Sequence, residues 1–109
     1  GKSSLGFDCS GLVQSVFFAC GMSLPRDAWQ QSKFFNASRI EGVDSKAGDL
    51  HFFGESGKIS HVGISTGGFN LIHCQGWVKE ESFENNKSGN KKLRDIYMHT
   101  CSVAVNLNK

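Results

Sequence analysis

The sequence contains one proline, no Cys-x-x-Cys pair and no long apolar run among its 109 residues. A helix needs about 20 consecutive apolar residues to cross a bilayer, so the sequence predicts no membrane-spanning helix. The opening residues 1–4 also lack the apolar core of a signal peptide. Four cysteines without paired spacing are too few for a disulfide scaffold, so they do not indicate a cellular compartment.

An excess of charge of one sign is also lacking. Twelve lysines and arginines stand against ten aspartates and glutamates, for a net charge of +2. This balance is too small to indicate a nucleic-acid partner, which requires a strongly basic surface. We interpret the one locally basic segment as a solvated loop rather than a patch that binds phosphate or a polymer. Its basic residues are Lys87, Lys91, Lys92 and Arg94.

Glycine and phenylalanine are abundant instead. Thirteen glycines favour tight turns between short strands, and nine phenylalanines with two tryptophans supply large apolar side chains for a core. A chain of this length buries roughly two-thirds of its unfolded surface, which is enough for one core. The sequence has no internal repeat or linker, so we expect a single domain that contains β-structure.

The first helix is expected to begin at Cys9. Apolar residues recur at helical spacing over positions 12–20, and Gly21 follows as a natural C-terminal stop. Cys20 lies on the apolar face of this helix, and Cys101 lies in a β-like tail. We expect both to be buried small hydrophobes rather than reactive thiols.

A second helix is expected after the only proline. Asp27 can cap it, Gln30 completes a capping box, and the helix runs to about Phe35. Residues 36–46 are polar and have no clear period, which predicts a loop.

Short apolar runs between glycine-rich turns predict strands in the remainder of the chain. The expected strands cover 49–53, 59–65, 69–74, a segment that starts at 77–78, and a closing strand at 96–107. The charged segment 84–92 is expected to be a turn. Helices followed by an antiparallel meander indicate an α+β fold rather than a doubly wound parallel sheet.

Cys9 is the candidate nucleophile because of its place at a helix start. A thiol attacks only as a thiolate, and the free N–H groups and macrodipole of a helix N-terminus lower its pKa. A lone cysteine at such a place is more often structural, so the interpretation depends on its neighbours. Asp8 and Ser10 offer either N-capping or substrate contact, which the sequence leaves equally supported, and Gly11 permits close approach of another backbone.

Two later histidines fit the roles of a base and its orienting partner. His61 alternates with Val62 and Ile64, so it faces away from the core side of its strand. His73 lies beyond a glycine-rich hairpin turn. If Gly67 is the centre of that turn, the two histidines lie directly opposite each other, which requires an odd-numbered loop or a bulge. His61 then takes the thiol proton, and His73 fixes its tautomer.

A zinc site is the competing interpretation of the same region. Four residues carry the donor atoms of a tetrahedral set: Cys9, His61, His73 and Cys74. Cys74 follows His73 directly, so its side chain points to the opposite face of the strand. None of the pairs has zinc-finger spacing, and we therefore expect no metal or other cofactor. The remaining histidines, His51 and His99, have no comparable context.

Several short motifs occur in a fixed order along the chain. They are Gly6-Phe7-Asp8-Cys9-Ser10-Gly11-Leu12-Val13, Leu24-Pro25-Arg26 with Gln31, Gly48-Asp49-Leu50 with Phe52-Phe53, Ile59-Ser60-His61-Val62-Gly63-Ile64, and Ile72-His73. Each is weak alone, but the ordered set is specific and covers most of the chain. It resembles the NlpC-type cell-wall peptidase domain, a compact papain-like fold of bacteria and their phages.

The resemblance implies hydrolysis of an amide bond in peptidoglycan stem peptides, typically between γ-linked D-glutamate and diaminopimelate or lysine. By motif position, Cys9 would be the nucleophile, His61 the base and His73 the polar third member. Attack would give a thioester acyl-enzyme that water hydrolyses, with the Cys9 backbone N–H helping to stabilise the oxyanion. Asp8 and Ser10 match positions that line the substrate cleft.

The chain also departs from the family pattern. Relatives usually carry an upstream tyrosine at the oxyanion site, and the chain begins too late to contain it. The bulky Trp29 stands where relatives often have a small hydroxyl residue, so we expect it to contact substrate and alter the pocket. Ala47 replaces a common proline, and Cys74 replaces a small residue, two changes that the fold tolerates.

We therefore expect residues 1–109 to form one NlpC-type cysteine peptidase domain that lacks its extreme N-terminal part. The resemblance implies peptidoglycan stem peptides as partners, a location in the cell envelope, and a further wall-binding domain in the full-length protein. The alternative is a catalytically inactive cell-wall-binding module on the same fold. The presence of Cys9, His61 and His73 argues against that alternative.

Overall fold

The computed structural model describes residues 8–75 and 77–103, which form an α+β arrangement, as the sequence predicts. Its helices are α1 (Cys9–Ala19), α2 (Ala28–Phe34) and α3 (Lys91–Ile96). Its strands are β1 (Arg39–Ile40), β2 (Leu50–Glu55), β3 (Lys58–Gly67), β4 (Asn70–Gln75), β5 (Trp77–Ser82) and β6 (Tyr97–Cys101). They form one antiparallel sheet in the order β1-β6-β2-β3-β4-β5.

Helix α1 begins and ends at the predicted signals. Asp8 precedes it in an extended conformation, and the Gly11 N–H donates to the Asp8 Oδ1 at 2.7 Å. After the helix, Gly21 adopts a φ of +91°, the left-handed conformation that terminates many helices. The prediction that Cys20 is buried is wrong, because this residue caps the exposed C-terminal end of the helix.

Helix α2 carries the predicted capping box. The Asp27 N–H donates to the Gln30 Oε1 at 3.1 Å, and the helix ends at Phe34. The segment 36–46 is more ordered than the predicted loop, because it contains two 3-10 turns and strand β1. Strand β1 forms by pairing with β6, a contact between distant segments that local composition does not encode.

An apolar cluster lies on each face of the sheet, because successive strand residues point to opposite sides. The first cluster packs α1 and α2 on the sheet and contains Val13, Phe17, Leu24, Ala28, Phe35, Leu50, Phe52, Val62, Cys101 and Val103. The second lies on the other face beside α3 and contains Phe53, Leu71, Phe83 and Leu93.

Helix α3 corrects the predicted turn over residues 84–92. Asn90 caps the helix by accepting a hydrogen bond from the Leu93 N–H at 3.0 Å, and Leu93 anchors it in the second cluster. One buried residue in a six-residue helix leaves no period to detect in the sequence. The closing strand predicted at 96–107 is present in part as β6, which begins at Tyr97 and ends at Cys101, and positions 104–107 of that prediction lie outside the described residues.

The β3–β4 hairpin corrects the predicted register. The strands pair through Ile64 and Ile72, and a bulge shifts the register just before a two-residue turn. One step along this antiparallel pairing, Gly63 lies across from His73. The prediction that His61 lies directly opposite His73 is therefore wrong. His61 lies two residues before Gly63 on β3, and it shares the sheet face of His73 because the bulge restores the parity.

Candidate active site

Cys9 occupies the first position of α1, where the helix meets β3. Its Sγ lies 3.9 Å from the carbonyl oxygen of Ser60, the residue before His61. The side chain is partly buried and packs against the first apolar cluster. The fold therefore brings the candidate nucleophile to the strand that carries the candidate base.

A charged cluster surrounds the start of α1. Arg26 donates to both carboxylate oxygens of Asp8, at 3.2 and 3.1 Å, and to the Ser10 Oγ at 3.0 Å. These hydrogen bonds from Arg26 hold the pKa of Asp8 below its usual value. The space at Gly11 is filled by this cluster and not by another backbone as predicted, since a Cβ there would lie 2.9 Å from the Asp8 Oδ1.

Gln31 fixes the start of α1 from the side of α2. Its Nε2 donates to the carbonyl oxygens of Ser10, at 3.1 Å, and Pro25, at 2.9 Å. The side chain is fully buried, so both bonds are shielded from water. Gln31 was part of a predicted motif without a predicted role, because its partners are identified only once the helices are packed.

The two predicted histidines are in direct contact. The His61 Nε2 lies 2.8 Å from the His73 Nδ1, and the rings cross at 77°. His73 is fully buried, and His61 is 8% exposed. The predicted hydrogen bond between the rings is therefore present, along a diagonal of the sheet rather than straight across it.

Glu81 extends this contact, although it is not among the residues predicted from the sequence. The His73 Nε2 lies 2.6 Å from the Glu81 Oε1, and the Asn90 Nδ2 donates to the Glu81 Oε2 at 2.9 Å. Glu81 pairs with Leu71 across β4 and β5, which places it on the His73 face. Alternation along β5 puts Glu81 and Lys79 on one side, but only the strand register shows which side that is.

Burial sets the protonation states of the thiol and the base. It raises the pKa of Cys9; a backbone hydrogen bond from Val62 opposes this rise, and the Asp8 carboxylate adds to it. Burial also lowers the pKa of His61 to about 4, and His73 acts in the same direction. The expectation of a lowered Cys9 pKa is therefore wrong, because lost solvation outweighs the helix start. Both groups are neutral at pH 7.

The other aromatic and imidazole side chains lie in different surroundings. Trp29, predicted to contact substrate, is 52% exposed on α2. His51 is fully buried with its Nδ1 at 2.7 Å from the Thr100 Oγ1. The His99 Nε2 lies 2.8 Å from the Ser32 Oγ. His51 and His99 each connect a strand to a neighbouring segment through these contacts, which gives both a structural role.

The zinc interpretation finds no support in residues 8–75 and 77–103. Within these ranges, no group of three or more histidine, cysteine, aspartate or glutamate side chains is placed to hold a metal ion. Cys74 is buried and pairs with Val78, one step from His73 and therefore on the opposite strand face. The described helices are also too short or too polar to cross a bilayer.

Comparison with known proteins places these motifs in a family. The model of the NlpC/P60 family matches residues 1–97. Over 76 residues the chain is 49% identical to a gamma-D-glutamyl-L-lysine dipeptidyl-peptidase of Bacillus subtilis. The matched region covers 67% of this chain and 25% of that protein. The chain therefore spans about a quarter of the length of this curated relative.

Solved structures show the same fold. A protein of Staphylococcus aureus described as similar to lipoprotein of the NLP/P60 family superposes with a TM-score of 0.73 at 30% identity, over 92% of this chain and 33% of that one. RipD of Mycobacterium tuberculosis is described as a non-catalytic NlpC/p60 domain protein adapted to peptidoglycan binding. It superposes with a TM-score of 0.68 at 22% identity, over 89% of this chain and 67% of that one. From its fold and from the match over residues 1–97, the chain belongs to the NlpC/P60 family.

Proposed function

We propose that this chain is a cysteine peptidase that hydrolyses amide bonds in bacterial peptidoglycan stem peptides. The observation that carries the proposal is the buried, hydrogen-bonded pair of His61 on β3 and His73 on β4, together with the 3.9 Å approach of the Cys9 Sγ to the carbonyl oxygen of Ser60 beside His61. A thiol with a base and an orienting group behind it is the arrangement of nucleophilic catalysis. The similarity to a gamma-D-glutamyl-L-lysine dipeptidyl-peptidase supports the bond after γ-linked D-glutamate as the target.

The proposed reaction starts from neutral Cys9 and neutral His61. His61 takes the thiol proton while the sulfur attacks the carbonyl carbon, and the Cys9 backbone N–H stabilises the oxyanion that forms. When the C–N bond breaks, the His61 imidazolium gives its proton to the departing amine, which leaves a thioester. Water then attacks the thioester as His61 accepts its proton, and the carboxylic acid product leaves as the thiol is reprotonated.

We propose that Asp8, Ser10 and Trp29 contact the substrate. Asp8 and Ser10 flank the nucleophile, and Arg26 hydrogen-bonds to both and so orients them. The Asp8 side chain is 58% exposed, which leaves carboxylate lone pairs accessible to N–H donors of a stem peptide. The exposed ring of Trp29 offers an apolar surface for an aliphatic part of the substrate.

The proposed substrate also sets the proposed location. Peptidoglycan lies in the cell envelope, so we propose that the protein acts there, in the periplasm or after secretion. Because the matched region is about a quarter of the curated relative, we also propose that the full-length protein carries a further wall-binding domain.

A catalytically inactive wall-binding module is the second candidate. One specific observation favours it: burial raises the pKa of Cys9, so the thiol is not stored as a thiolate. RipD, described as non-catalytic, also shares the fold, so the fold alone does not establish hydrolysis.

Incubation with purified muropeptides, followed by mass analysis of the products, separates the two candidates. We expect hydrolysis by the unmodified chain and by Cys20→Ala, which removes an exposed thiol outside the proposed site. We expect no product with Cys9→Ala. Retention of intact muropeptides by the unmodified chain without any product would overturn the peptidase proposal in favour of the binding module.

A further inference from the structure

We propose that Glu81 is a positioning residue that fixes the tautomers of His73 and His61 and thereby leaves Nδ1 of His61 as the basic atom. The inference deepens the proposed function and rests on it only for the identity of the reaction. It rests independently on the chain of hydrogen bonds from His61 through His73 to Glu81.

The first step concerns Glu81 and His73. The 2.6 Å separation between the Glu81 Oε1 and the His73 Nε2 is short, as expected of a hydrogen bond to a charged group. Burial alone raises the pKa of Glu81, but hydrogen bonds from His73 and Asn90 outweigh it and leave that pKa below its ordinary value. An ionised carboxylate only accepts hydrogen bonds, so His73 must carry a proton on Nε2.

The second step passes from His73 to His61. Burial lowers the pKa of His73 below its usual value although Glu81 acts in the opposite direction, so His73 is neutral at pH 7.5. A neutral imidazole has one N–H, and since that proton is on Nε2, the His73 Nδ1 can only accept. The His61 Nε2 must then donate across the 2.8 Å contact. The lone pair of His61 therefore remains on Nδ1.

Protonation of His73 would reverse this arrangement. Its Nδ1 would then donate to the His61 Nε2, and a neutral His61 would have to carry its proton on Nδ1. That tautomer cannot take the thiol proton through Nδ1. Glu81 thus keeps the single proton of His73 on Nε2, which leaves Nδ1 of His61 unprotonated. Burial of His73 disfavours the binding of a second proton to its ring.

The position of Glu81 is itself fixed by neighbouring groups. Asn90 donates to its Oε2 with one side-chain atom and caps α3 with the other, and Leu93 anchors α3 in the second apolar cluster. Lys79 adds a weaker contact, with its Nζ 3.8 Å from the Glu81 Oε1. Glu81 is therefore held on its Oε2 side by a packed helix, and its Oε1 is aimed at His73.

Long-range ¹H–¹⁵N correlation spectra of histidine-labelled protein at pH 7.5 test the proposal directly, because they distinguish protonated from unprotonated ring nitrogens. Resonances are assigned with single His→Gln variants. In the unmodified chain we expect Nε2–H tautomers for both His61 and His73. A His61 that carries its proton on Nδ1 in the unmodified chain would overturn the proposal.

Variants then test whether Glu81 is the cause. Glu81→Leu, or Glu81→Ala if the leucine variant does not fold, should give mixed tautomers and lower kcat/KM about 10- to 100-fold. Glu81→Gln retains an acceptor oxygen and should preserve the tautomers and most of the activity. Glu80→Gln makes the same charge change on the opposite face of β5 and is the matched control. Unchanged tautomers in the apolar variant would refute the role of Glu81.

The two readouts separate this inference from the proposed function. If the unmodified chain shows the expected tautomers, and the apolar variant loses them, but no muropeptide is hydrolysed, the positioning role stands and the peptidase proposal fails. If hydrolysis is observed but the apolar variant retains both tautomers and full activity, the peptidase proposal stands and the positioning role fails.

Discussion

Buried histidines make the stability of this domain depend on pH. His51 and His61 are fully or almost fully buried, and burial lowers the pKa of each to about 4, from an ordinary value of 6.5. Between about pH 6.5 and pH 4, these two histidines bind protons in the unfolded chain but remain neutral in the folded chain. Their contribution to stability is therefore complete above about pH 6.5 and is lost as the pH falls toward 4.

The size of the loss follows from the two pKa values. A difference of about 2.5 units at each site corresponds to roughly 3 kcal/mol when the transition is complete. At pH 5, where the unfolded histidines are charged and the folded ones are not, each site costs about 2 kcal/mol. His99 has a similar pKa but is partly exposed, so we expect it to contribute a smaller pH-dependent loss of stability. Two buried sites together thus remove about 4 kcal/mol, a large part of a typical domain stability.

Urea unfolding at pH 7.5 and pH 5, followed by circular dichroism, measures this loss. His51→Gln should reduce the difference between the two pH values by about 2 kcal/mol, whatever its effect at neutral pH. His99→Gln is the control and should change that difference less. Equal stability of the unmodified chain at both pH values would refute the reasoning, as would a His51→Gln variant that keeps the whole difference.

Three further predictions concern single side chains. His61→Ala should abolish muropeptide hydrolysis, whereas His73→Gln keeps an acceptor for the His61 N–H and should retain measurable activity. An equal loss of activity in the two variants, both folded, would show a charge-specific role for His73. Iodoacetamide at pH 6 should label the exposed Cys20 before Cys9, whose pKa is raised, and peptide mass mapping that finds Cys9 first would contradict this. Gly21→Ala should lower the free energy of unfolding by about 1 kcal/mol, since its φ is +91°, and an unchanged urea midpoint would count against that.

Local signals predicted the start of the site well. Asp8 caps α1 at Cys9, Gly21 ends it, and Asp27 caps α2, because capping and helix termination depend on residues only a few positions apart. The contact of His61 with His73 also followed from strand parity, given an odd loop or a bulge. The structure uses the bulge.

Features that depend on packing could not be predicted in the same way. Glu81 joins the histidines through the register of β4 and β5, and a shift of one residue would have placed it on the other face. The rise in the Cys9 pKa depends on what covers the thiol after folding, which the helix-start argument does not contain. The helix capped by Asn90 depends on one buried leucine and a second cluster.

The neutral states of Cys9 and His61 constrain how the proposed nucleophile is activated. Moving the proton before attack, from a thiol with a pKa above its usual value near 8.5 to an imidazole near 4, costs at least roughly 6 kcal/mol. At a separation of about 4 Å and an effective dielectric constant of about 20, attraction between the two new charges offsets about 4 kcal/mol. A turnover of about 10 per second already implies a barrier near 16 kcal/mol, so the remainder fits within ordinary catalysis. The thiolate need not be stored before substrate binds, and deprotonation by His61 during attack is therefore the activation that we expect for this partly buried thiol in the proposed reaction.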